Sequence, residues 1–63
     1  MSLGISEAIR LKPDSAVIYN NRGNAYGENG QYEKAIKDFD EAIRLKPDYA
    51  VAIRNRALVY RKK

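Results

Sequence analysis

The sequence predicts an all-α chain built of antiparallel helix-turn-helix units, and three observations carry that expectation. The stretch Glu7-Ala8-Ile9-Arg10-Leu11-Lys12-Pro13-Asp14 returns letter for letter as Glu41-Ala42-Ile43-Arg44-Leu45-Lys46-Pro47-Asp48, at an offset of 34 residues. Apolar residues between the two copies recur every three to four positions, the spacing that lines one face of a helix. Glycine and proline interrupt this pattern at intervals too short for long helices but suited to hairpins. Of the 23 positions that can be compared at the offset (7–29 against 41–63), 13 are identical, which excludes coincidence and makes the repeat the organising fact of the chain.

Four helices are expected, over 3–12, 15–28, 32–45 and 49–62. In the second of these, Tyr19, Arg22, Gly23 and Tyr26 share a face. Asn29-Gly30 then reads as a stop, because glycine enters the left-handed conformation that closes a helix without steric cost. Tyr32, Ala35, Ile36, Phe39, Ala42 and Ile43 form the apolar stripe of the third helix. Pro47 ends it, since the residue before a proline is driven out of the α region. Asp48 stands where a side-chain oxygen can cap the following helix, and the pair Pro13-Asp14 occupies the same place one repeat earlier.

Composition narrows the function classes. The 63 residues contain neither cysteine nor histidine, so disulfides, the usual zinc ligand sets and Ser-His or Cys-His catalytic pairs are excluded. No cofactor is implied. No apolar run approaches the roughly 20 residues of a membrane span, and Met1-Ser2-Leu3-Gly4 lacks the basic-then-apolar order of a secretory signal. The absence of cysteine is compatible with the cytosol. The net charge of +4 is unevenly placed. Residues 1–49 carry seven basic and eight acidic groups, whereas Arg54, Arg56, Arg61, Lys62 and Lys63 face no acid within 50–63. The basic character therefore belongs to the last helix, unlike a uniformly basic nucleic-acid binder. Asp38, Asp40 and Glu41 are expected to form a solvated acidic face of the third helix.

The 34-residue period and the residues between Ala16 and Tyr49 resemble the tetratricopeptide repeat. Tyr19 stands for the pattern's first large aromatic, Gly23 for its glycine, Tyr26 for its tyrosine and Gly30 for its turn glycine. Tyr32, Ala35, Phe39, Ala42 and Pro47 complete it, and the second copy places Ile53, Ala57 and Tyr60 in matching positions. Arg22 departs from the pattern, which prefers leucine there; its aliphatic stem can still cover apolar surface. Gly23 and Ala57 are expected to let a neighbouring helix approach closely. The resemblance implies hairpins stacked as a right-handed α-solenoid of about two units, out of phase. Residues 1–15 would supply the second helix of a preceding repeat, 16–49 a complete repeat, and 50–63 the first helix of a following one.

In such arrays the first helix of each repeat lines a concave groove that holds a peptide. The resemblance places Val17, Asn20, Asn24 and Gly27 there from one helix, and Val51, Arg54, Leu58 and Arg61 from the next. Some members grip the acidic C-terminal tails of chaperones with lysine, asparagine and arginine. The strip Tyr19-Asn20-Asn21-Arg22 is similar to part of that clamp, with Asn21, its counterpart Asn55, and Asn24 as the asparagines. Asn20 stands where the groove lysine is expected, and a third repeat that would complete the clamp is lacking. The implied partner is a protein or peptide, an acidic segment or a free C-terminal carboxylate being the chemistry these groups suit. A second expectation is self-association, because the first and last helices each lack the partner found at the opposite end. A head-to-tail superhelix, a ring and a swapped dimer are the open forms. Two alternatives stand beside these: RNA or another polyanion held by the basic last helix, and a structural repeat piece with no ligand of its own.

Overall fold

The computed structural model describes residues 15–63, which form three helices: α1 (Ala16–Glu28), α2 (Tyr32–Leu45) and α3 (Ala50–Lys62). These match the expected segments to within a residue at each end. The helix expected over 3–12 and the Pro13-Asp14 pair lie outside the described residues.

Each boundary has a local cause. Ser15, in an extended conformation (φ −87°, ψ 111°), opens α1, and its hydroxyl accepts a long hydrogen bond of 3.4 Å from the Ile18 amide. The far end of α1 closes through two backbone bonds. Gln31 N–H donates to the Tyr26 carbonyl at 2.9 Å, and Gly30 N–H to that of Gly27 at 3.2 Å. This pair of bonds requires the residue after the cap to be left-handed, and Gly30 has φ +80°. Lys46, ahead of Pro47, turns to φ −141°, ψ 87°, which ends α2 as the proline demands. At the start of α3 the expectation needs correcting: Tyr49 is the capping residue and no side chain bonds the free amides, so Asp48 does not cap. A turn bond from Tyr49 N–H to the Lys46 carbonyl, 3.0 Å, holds that corner instead.

The α1–α2 hairpin is built around one close approach. A Cβ placed on Gly23 would lie 2.8 Å from Cε1 of Phe39 and 3.1 Å from the Ala35 carbonyl oxygen. No other residue type fits without displacing the ring. Phe39 is fully buried, with Ala35 and Ala42 beside it and Tyr26 and Tyr32 packed on the rim. Every residue of the stripe read from the sequence is buried or partly buried, and Asp38, Glu41 and Leu45 join it.

Above the ring, Arg22 and Asp38 join the same two helices. Nε and Nη2 of Arg22 donate to Oδ2 and Oδ1 of Asp38 at 2.7 and 2.8 Å, a two-pronged pair. The hydrogen bond to Asp38 raises the proton affinity of the Arg22 guanidinium, with burial opposing it. Asp38 is only 5 % exposed, so the expected solvated acidic face is wrong at this residue: its carboxylate is a buried cross-link. The guanidinium also lies 5.6 Å from the centre of the Tyr26 ring.

Helix α3 packs antiparallel to α2 and parallel to α1. Val59 enters the core between Ala35 and Ile36 of α2 and Gly27 of α1, whose missing Cβ would stand 3.3 Å from Cγ2 of Val59. Two ion pairs flank this contact. Arg56 binds Asp40 at 2.6 Å and Lys63 binds Glu33 at 2.8 Å. Ala57, expected to sit under a close neighbour, is exposed among the described residues.

Gly23→Ala is predicted to destabilise the fold by about 1–2 kcal/mol through overpacking, even though alanine favours a helix by about 1 kcal/mol. Urea unfolding followed by circular dichroism reads the difference. Arg22→Leu, which installs the residue the repeat pattern prefers, is predicted to cost about 2–3 kcal/mol by stranding the Asp38 carboxylate. Adding Asp38→Leu recovers most of that loss in the same experiment.

Candidate functional site

Two surfaces present themselves, one on each side of α3. The concave side lies between α1 and α3, which run parallel. Their spacing is set at one end by Val59 against Gly27 and at the other by a side-chain bridge: Nδ2 of Asn55 donates to Oδ1 of Asn20 at 3.1 Å. Between these contacts is a cleft of about 90 Å³ lined by Asn24, Gly27, Glu28, Asn55, Leu58, Val59 and Lys62.

The residues expected in the groove divide into three sets. Asn24, Asn55 and Leu58, with Gly27, line the cleft. Asn20 is 6 % exposed and spends its carbonyl on Asn55, so it acts as a spacer between the helices. Val17, Asn21, Val51, Arg54 and Arg61 are exposed and do not line the cleft. Val51, Arg54, Leu58 and Arg61 nevertheless follow one another at helical spacing, a single ridge beside it.

The charges of α3 are not all free. Arg56 and Lys63 are tied to Asp40 and Glu33 of α2, while Arg54, Arg61 and Lys62 form no ion pair among the described residues. Glu33 is held below its ordinary carboxylate range by its hydrogen bond from Lys63, and Glu41 by its hydrogen bond from Arg44. Both groups are exposed, so these pairs order the surface more than they stabilise it. Among the described residues no group of acidic side chains is arranged to hold a metal ion, and no helix is long and apolar enough to cross a membrane.

The family model of the tetratricopeptide repeat matches residues 16–49, more than half of the chain. The chain belongs to this family. Tetratricopeptide repeats are protein-interaction modules and in general non-catalytic scaffolds. No solved structure matches the chain. Within the matched repeat, Gly23, Ala35 and Phe39 form the close helix crossing. Arg22, at a leucine position of the repeat pattern, forms the ion pair with Asp38.

The sequence pointed to the opposite, outer side of α3 only as the side of a helix expected to lack its partner, not to the depression between α2 and α3. There an open depression of about 270 Å³ is lined by Glu33, Ile36, Lys37, Asp40, Tyr60 and Lys63. The signal was present in the 34-residue offset: Ile53, Ala57 and Tyr60 are the counterparts of Tyr19, Gly23 and Tyr26, the face that α2 covers on α1.

Asn55→Ala is predicted to lower stability by about 1 kcal/mol or more, because it leaves the buried Asn20 carbonyl without its donor. Asn24→Ala, at an exposed position, is predicted to stay within about 0.5 kcal/mol of the parent. Parallel thermal melts of the two variants check the contrast.

Proposed function

We propose that this chain is a protein-interaction module whose concave face holds a peptide segment of its partner. The observation that carries the reading is the open chemistry on that face. Asn24 offers both a donor and an acceptor beside an apolar ridge residue, Leu58, which is 39 % exposed. Arg54 and Arg61 flank Leu58 on the same ridge and are free of ion pairs among the described residues. Such a set suits an extended backbone carrying an acidic side chain or ending in a carboxylate, which a guanidinium takes with two parallel hydrogen bonds. Asn20 contributes indirectly, by holding the helices at the spacing the peptide meets.

Association of copies through the end helices is the second part of the proposal. Val51, Ile53, Leu58 and Tyr60 of α3 are each between 39 and 54 % exposed, apolar surface that association of copies would cover. The polyanion alternative loses support from the same geometry. With Arg56 and Lys63 bound to α2, the last helix has three unpaired cations among the described residues rather than five.

The test is fluorescence anisotropy with a labelled acidic peptide, its C-terminus free in one sample and amidated in the other. The free carboxylate is expected to bind more tightly, and Arg54→Ala or Asn24→Ala to weaken it by about tenfold. Equal binding by parent and both variants, or preference for an oligonucleotide of the same charge, would count against the proposal.

A further inference from the structure

Asn29 is the one asparagine of this chain that a glycine follows. The other four, Asn20, Asn21, Asn24 and Asn55, precede asparagine, arginine, alanine and arginine, and all lie inside helices. Asn29 and Gly30 form the turn between α1 and α2, and both are exposed. The pairing matters chemically. An asparagine side-chain amide is open to attack by the backbone nitrogen of the next residue, and a side chain on that residue shields the nitrogen. Glycine has none.

We propose that Asn29-Gly30 is a site of spontaneous deamidation, held in check by the hydrogen bonds that close α1. The Gly30 nitrogen gives up its proton to solvent and bonds to Cγ of Asn29. The Cγ–Nδ2 bond breaks, and ammonia leaves after taking a proton back from solvent. The product is a cyclic imide, which water opens at one carbonyl or the other. One opening yields aspartate. The other yields isoaspartate, in which the main chain runs through the former side chain. The balance is asparagine plus water to acid plus ammonia, so neither an oxidant nor a second enzyme is needed.

The folded turn obstructs the first step in two ways. Ring closure needs the Gly30 nitrogen eclipsed with Cβ of Asn29, which at an L-residue corresponds to ψ of about −120°. Asn29 has ψ 5°, so the nitrogen stands well away from the carbon it must reach. The same nitrogen is also engaged. Its N–H donates to the Gly27 carbonyl at 3.2 Å, and the next amide, Gln31 N–H, donates to that of Tyr26 at 2.9 Å. Turning ψ of Asn29 swings the Gly30 peptide out of both bonds. Asn29 is pinned from the helix side as well, its own N–H shared between the Ala25 and Tyr26 carbonyls at 3.1 Å each. The reaction therefore proceeds through the open form of the cap, the fraying that helix ends undergo most readily. Its products work against closing the cap again. Isoaspartate adds an atom to the main chain and carries Gly30 and Gln31 out of register with Gly27 and Tyr26. Either acid places a new carboxylate beside Glu28, at the end of α1 where the free carbonyls already make the potential negative.

The experiment is incubation of the 63-residue chain in mildly alkaline buffer, beside the same chain unfolded in guanidinium, read by tryptic mapping and mass spectrometry. Asn24 and Asn29 fall in one tryptic peptide, 23–34, so each sample carries its own reference. Conversion is expected at Asn29 alone, at least about tenfold slower in the folded chain than in guanidinium. Gln31→Pro removes the N–H that binds the Tyr26 carbonyl and leaves the reacting pair untouched. With its helix content retained by circular dichroism, this variant is expected to react at least about threefold faster than the parent. An Asn29 that stays intact in guanidinium, or reacts no faster there than Asn24, overturns the site. Equal rates in the folded and unfolded parent overturn the control by the cap, as does a helical Gln31→Pro that reacts no faster than the parent.

Discussion

Phe39 lies against the backbone of Gly23 at a distance that admits no side chain, and the rest of the fold depends on that contact. It fixes how closely α1 and α2 approach. That spacing places Ala35 where Val59 of α3 can reach it, and Val59 in turn rests on Gly27 of α1. The concave cleft is the outcome of this sequence of contacts. Its walls are α1 and α3, whose separation is set by Val59 against Gly27 and by the Asn20–Asn55 bridge. The cleft is thus bounded by packed helices rather than by loops, so under the proposed reading the groups it offers would be largely fixed before a partner arrives.

Polar contacts hold each helix pair in register over this small apolar core. Arg22 and Asp38 join α1 to α2, Arg56 and Lys63 join α3 to α2, and the two asparagines join α3 to α1. The Arg22–Asp38 pair is the costly one to break, because the buried Asp38 carboxylate would be left without a compensating charge. The exposed pairs act differently. They engage Arg56 of α3 and Lys63 just beyond its end, and among the described residues leave Arg54 and Arg61, on the ridge beside the cleft, and Lys62, which lines it, without an ion pair.

Much of this was legible in the sequence because it is periodic. Gly30, Pro47 and the stripe from Tyr32 to Ile43 gave the helix limits, since backbone conformation and helical spacing act locally. The crossing of Gly23 beneath a neighbour followed from residue size at a fixed place in the repeat. What was not legible depends on contacts between distant residues. Arg22 and Asp38 stand 16 positions apart, and nothing in either neighbourhood says that one is aimed at the other. Asp38 therefore looked like one of three solvated acids. The repeat resemblance put Asn20 in the groove, yet it is 6 % exposed and its carbonyl accepts from Asn55, 35 positions away. The corner at Asp48 failed for a local reason: the turn from Lys46 to Tyr49 satisfies the chain and leaves the aspartate in solvent.

The central claim is that the concave face, not the outer face, receives the partner peptide. Amide chemical shifts measured by NMR during titration with an acidic peptide bearing a free carboxylate test it most directly. Perturbations gathered on Asn24, Gly27, Arg54, Asn55 and Leu58, with Glu33, Lys37 and Asp40 unmoved, are the predicted result. Shifts centred on Lys37, Asp40 and Tyr60 would contradict it and move the binding surface to the opposite side of α3.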